Sequence, residues 1–162
     1  MIRPVTPHDA AAICGIYNHY VENTTISFEE TPLSQTEMEE RIRTISAKFP
    51  YIVHEDESGE INGFAYISKW RERSAYHRSA EISIYIKDGF QGKGLGTTLM
   101  DKLIGETRKT GIHALVAGIT IPNHNSIALH EKFGFEKIGH FKEIGHKFGR
   151  WIDVGYWELI LS

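Results

Sequence analysis

The chain has 162 residues, 41% of them hydrophobic and 24% charged, with a formal net charge of −3. It is long enough for one domain, residues 1–162, to bury its own core, and its charge offers no basic field for nucleic acid or an anionic membrane. No apolar run reaches transmembrane length, MIRPVTPHDAAAI lacks a secretory apolar stretch, and Cys14, the single cysteine, has no partner for a disulfide, so the expectation is a cytoplasmic protein.

Residues 2–5 predict a short strand. Thr6-Pro7-His8-Asp9 then reads as an N-cap, a first-turn proline and an early acid, and Ile13, Ile16, Tyr17, Tyr20 and Val21 follow at helical spacing. Ser34-Gln35-Thr36-Glu37 has the form of a capping box, with Met38, Ile42 and Ile45 continuing a second helix. Tyr51 to His54 is a predicted strand, Glu57-Ser58-Gly59-Glu60 a hairpin turn, Gly63 to Lys69 the returning strand and Ser79 to Ile86 the next. After a glycine-rich stretch, Leu95, Leu99, Met100, Leu103 and Ile104 make one apolar helix face that Gly111 can end. Ala114 to Thr120 is continuously apolar, as in the centre of a sheet. A short helix is expected from about Ser126 to Phe133, with Asn125 as its cap and Gly134 as its stop, and Trp151 to Ile160 as the final strand. The pattern is α/β, with about four helices on a mixed, mostly antiparallel sheet.

Gly89, Gly92, Gly94 and Gly96 stand where a strand gives way to a helix. Glycine there permits positive φ and close approach of a ligand, and the opening turn of a helix offers unpaired N–H groups to a phosphate. A Walker loop is excluded, because Leu95 rather than lysine follows Gly94; the dinucleotide fingerprint fails at Thr97. What remains is Gln91-x-x-Gly94-x-Gly96 after a strand.

That motif resembles the pyrophosphate-binding turn of the GCN5-related N-acetyltransferase (GNAT) superfamily. The resemblance runs along nearly the whole chain, through Ile16-Tyr17-Asn18, Ala80 to Ile86, Asn123 to Phe135 and Gly145 to Val154. It is closest to the phosphinothricin and methionine sulfoximine acetyltransferase branch. It implies acetyl-CoA as co-substrate, held by Gln91, Gly92, Lys93, Gly94, Leu95 and Gly96, by the backbone of Ser83, Ile84 and Tyr85, and by Asn123, which helix capping explains nearly as well. It implies Glu81 as the base that takes the proton of the acceptor amine. His130, in the place of the superfamily's usual tyrosine, is either the acid that protonates the thiolate or a packed histidine.

The acceptor implied by the branch is a small amino acid or analogue, acetylated directly in a ternary complex. Its carboxylate and side chain suit arginines with aromatic neighbours, so the implied substrate residues are Phe28, Trp70, Arg71, Glu72, Arg73, Tyr76, Arg78, Ala80, Glu81 and Ile82. A homodimer is implied as well. The alternatives are a protein or peptide Nα-acetyltransferase and a non-catalytic acyl-CoA-binding module. The histidine pairs His124/His130 and His140/His146 are six apart and match no zinc spacing, so no metal is expected.

Overall fold

The computed structural model describes residues 1–162. Its strands are β1 (Ile2–Pro4), β2 (Tyr51–Glu55), β3 (Ile61–Lys69), β4 (Ser79–Ile86), β5 (Ala114–Ile121), β6 (Glu136–Lys147) and β7 (Arg150–Ile160). Its α-helices are α1 (Ala10–Asn23), α2 (Gln35–Ser46), α3 (Leu95–Thr107) and α4 (His124–Lys132). The strands form one sheet in the order β1-β2-β3-β4-β5-β7-β6, antiparallel except between β4 and β5. The mixed, mostly antiparallel sheet expected from the sequence is present.

Period-two alternation sends neighbouring residues of each strand into different cores. Tyr51 and Val53 of β2, with Phe64 of β3, pack against α1 and α2. Ile52, Ala65 and Ile67, between or beside them, join Leu99, Met100 and Leu103 of α3 on the other face. The same rule acts on β4: Ala80 and Ile82 belong to the α3 core, whereas the Tyr85 ring stacks against Phe64 and meets the edges of Tyr17 and Tyr20.

Local chemistry sets the helix ends. Ser34 Oγ accepts from the Glu37 amide at 3.1 Å and Glu37 Oε2 accepts from the Ser34 amide at 2.8 Å, the reciprocal pair of a capping box. Thr6 opens a 3-10 turn (Pro7–Asp9) before α1. Three expectations need correction. α3 ends at Thr107 rather than near Gly111, because Thr110 Oγ1 donates to the Thr107 carbonyl at 2.7 Å and the chain is already turning. α4 is capped by Asn123, whose Oδ1 accepts from the Ser126 amide at 3.3 Å; Asn125 lies inside the helix. β6 was not expected at all: it is an edge strand, almost wholly exposed, whose register shifts twice against β7, so no regular apolar period marks it.

Candidate active site

β4 and β5 pair only at their starts, Ser79 with Ala114, Ala80 with Leu115 and Glu81 with Val116. Beyond Glu81, β4 stays paired to β3 as far as Ile86, and β5 to β7 as far as Ile121, but not to one another. The sheet therefore splits into a wedge, and alternate main-chain N–H and C=O groups of Ser83, Ile84 and Tyr85 are left without a strand partner on that side. A cavity of about 560 Å³ occupies the wedge. Glu81 to Tyr85 and Ala117 to Thr120 form two of its walls; Ser27, Phe28 and Glu29 of the α1–α2 loop, Tyr156 and His130 complete it. A second cavity of about 750 Å³ shares Ile26, Ile84, Asn123, Ser126 and His130 with the first and runs on to the glycine loop. Together they make one continuous path of a size suited to a small-molecule ligand.

The loop is shaped by three left-handed glycines, Gly89 (φ 85°), Gly92 (φ 75°) and Gly94 (φ 83°), the last serving as N-cap of α3. A Cβ on any of the three would meet no protein atom within 4 Å, so these backbones border open space. None of the N–H groups from Gln91 to Thr97 donates to an acceptor within the chain. An array of free amides at the positive end of a helix is an oxyanion site of the kind a diphosphate needs. Gln91 contributes differently: its Oε1 accepts from the Gly89 amide at 2.9 Å and its Nε2 reaches Tyr20 Oη at 3.4 Å, so it locks the turn. Lys93 lies with Nζ 5.0 Å from the centre of the Phe90 ring.

Glu81 sits at the point of the wedge. Its carboxylate lies over Gly118, where a Cβ would come within 3.7 Å of Glu81 Oε1 and 3.3 Å of the Tyr156 ring. Burial pushes this carboxyl above its usual range, and the positive charge of Arg71 opposes the shift. His130 is buried at 6% exposure, at the junction of the two cavities. Its Nδ1 lies 2.7 Å from the Ser126 carbonyl, which can only accept, so Nδ1 carries the proton. Burial also lowers its pKa. The neutral ring then presents Nε2 as a lone pair, so His130 cannot protonate a thiolate until it has itself taken a proton.

At the mouth, the Arg71 guanidinium stacks over the Trp70 ring at 4.5 Å, and Trp70 meets the edge of Tyr156 at 5.9 Å. Phe28 and Ile82 line the cavity directly. Five further residues expected at the substrate do not line the cavity. Glu72 pairs with Lys69 at 3.1 Å in solvent; Arg73 and Tyr76 are exposed on the β3–β4 connection. Arg78 Nε donates to the Gly111 carbonyl at 2.9 Å, and Ala80 is fully buried in the α3 core because it alternates with Glu81. Sequence reasoning passed over Tyr17, Ser27, Glu29, Gly118 and Tyr156. Gly118 carried a usable signal, since a glycine inside a central strand marks a close approach.

No group of three or more histidine, cysteine, aspartate or glutamate side chains is placed to hold a metal. Residues 2–155 match the family model described as an acetyltransferase (GNAT) domain. The chain is 37% identical to an L-methionine sulfoximine/L-methionine sulfone acetyltransferase of Pseudomonas aeruginosa, over 99% of this chain and 94% of that one. Among solved structures it is similar to a phosphinothricin acetyltransferase from Sinorhizobium meliloti in complex with acetyl-CoA, at TM-score 0.96 and 38% identity over 100% of this chain and 88% of that one. It is equally similar to a ribosomal-protein-alanine N-acetyltransferase from Brucella melitensis, at TM-score 0.96 and 37% identity over 99% of each chain.

Proposed function

The chain belongs to the GNAT acetyltransferase family, and from that premise we propose how it uses acetyl-CoA to acetylate the amino group of a small amino acid or analogue. The observation that carries the reading is the split between β4 and β5, which joins an array of free amides at one end to a half-buried carboxylate at the other.

Acetyl-CoA supplies an activated acetyl group as a thioester. The amides of Gln91 to Gly96 hold its diphosphate, with Asn123 beside the path. The unpaired main-chain groups of Ser83 to Tyr85 anchor the extended arm, and an N–H among them stabilises the charge that grows on the carbonyl oxygen. Glu81 takes the ammonium proton from the incoming amine, directly or through one water. His130 accepts a hydrogen bond at Nε2, and once charged by a proton shed from the amine it can return that proton to the departing sulfur. Arg71 and Trp70 receive the carboxylate and side chain of the acceptor, with Phe28 and Tyr156 as apolar walls. Holding both partners in one wedge supplies much of the acceleration.

The acceptor class is supported by the activities of the Pseudomonas and Sinorhizobium relatives and by the aromatic mouth. A homodimer belongs to the same proposal: Ile138, Phe141, Ile144, Phe148 and Trp151 are each more than half exposed on the β6–β7 hairpin, a patch of the kind a second copy covers. So does a cytoplasmic location, in keeping with the free buried thiol of Cys14; no helix is long and apolar enough to cross a membrane.

Incubation with acetyl-CoA and a panel of free amino acids, phosphinothricin, methionine sulfoximine, methionine sulfone and short peptides, read by mass spectrometry, tests this. Acetylated amino acids or analogues are expected. Acetylation of peptides alone would transfer the acceptor assignment to protein N-termini.

A further inference from the structure

Lys147 ends β6 with its side chain buried; the residue is 2% exposed, which is rare for lysine. Its ammonium donates to the carbonyls of Thr24 at 2.8 Å and Ser27 at 2.6 Å, more than a hundred residues earlier in the chain. The remaining side-chain ties on the α1–α2 loop come from the loop itself or its flanking helices: Tyr17 to Ser27 and Glu29, Arg41 to Glu29, and Asn18 to both main-chain groups of Leu33. Lys147 is thus the polar tie that fastens this loop to the sheet. A second contact lies two residues away on β6. Gly145 lets the Phe28 ring lie against the strand, and a Cβ there would fall 2.3 Å from Phe28 Cζ. Ser27 and Phe28, the residues so held, line the same cavity as Glu81.

We propose that β6 positions the acceptor loop, Lys147 by hydrogen bonds to the Thr24 and Ser27 carbonyls and Gly145 by receiving the Phe28 ring. Lys147 is a positioning residue here, touching neither co-substrate. A buried ammonium with two carbonyl acceptors fixes main-chain position more firmly than apolar contact, because losing it strands both carbonyls away from water. Ser27 and Phe28, the residues that β6 holds, line the cavity of Glu81 and not the one that reaches the glycine loop, which the α1–α2 loop meets only at Ile26, so its displacement acts chiefly on the acceptor. This rests on the acceptor reading given above.

Lys147→Met keeps the length of the stem and removes charge and donors. In steady-state kinetics the acceptor KM should rise about tenfold or more, with the acetyl-CoA KM within about twofold. Hydrogen exchange at the amides of residues 24–29 should quicken while α3 keeps its protection. An unchanged acceptor KM, or equal rises in both constants, overturns the proposal. Should Lys147→Met fail to fold, Gly145→Ala crowds Phe28 and leaves the ammonium in place; the same acceptor-selective rise is expected, and its absence overturns the proposal equally. If the unaltered enzyme acetylates no amine in the panel, the acceptor reading fails instead, and exchange at residues 24–29 in Lys147→Met still decides whether the clasp exists.

Discussion

Glu81 accepts no hydrogen bond from the chain and shares its cavity with Tyr156, so its carboxylate is free to take a proton from a bound amine. Glu81→Gln should lower turnover by about 100-fold or more and leave acetyl-CoA affinity almost unchanged. Burial raises the Glu81 pKa, and a base must be ionised to act; kcat/KM should therefore fall as pH drops through a value above the ordinary ~4.3 of glutamate. Arg71 holds that pKa down, so Arg71→Ala should shift the acid limb of the pH–rate profile to higher pH and raise the acceptor KM above that for acetyl-CoA. A limb that stays in place would separate Arg71 from Glu81. Glu81 was legible through the family resemblance of its strand, whereas strand alternation, applied to the same stretch, sets Ala80 in the α3 core and not at the substrate. Arg78 could not be placed, because its partner is the carbonyl of Gly111, which only the fold brings near.

Elements with local signatures were the legible ones. The Ser34–Glu37 capping box and the glycine turn are set by residues three to five apart, and both stand where the sequence put them. β6 has no such signature: most of its side chains before Gly145 are exposed and its bulges break the alternation, so only pairing with β7 defines it. For the glycine turn, the space around Gly94 is open and its φ of 83° disfavours a β-branched residue. Gly94→Val should thus weaken acetyl-CoA binding about tenfold or more, both by twisting the turn and by filling the ligand's approach. Calorimetry on folded variant protein checks this; normal affinity would remove the turn from its role.

At the scale of the whole molecule, the site exists because one parallel strand pair interrupts an otherwise antiparallel sheet and parts after three residues. No local pattern in β4 or β5 encodes that divergence; the glycine at 118 signalled a close approach, but only the β5–β7 pairing shows that Tyr156 stands beside it on the far wall. The β6–β7 hairpin then presents an apolar surface beside the mouth, with Phe141 in edge contact with Tyr156 at 5.6 Å. Trp151→Glu places a charge in that patch and should shift the sedimentation of the protein from dimer towards monomer. Sedimentation of the unaltered chain as a monomer would detach the patch from assembly.

The free amides between Gln91 and Thr97 are the feature on which acetyl transfer depends, and amide NMR observes them one by one. Titrating acetyl-CoA to about 1 mM, the upper end of ordinary KM values, should saturably shift the Gly92, Gly94 and Gly96 resonances, with Ser83 to Tyr85 following. Resonances of that loop that stay still across the titration, in protein that is folded, would contradict the assignment of the wedge to acetyl-CoA.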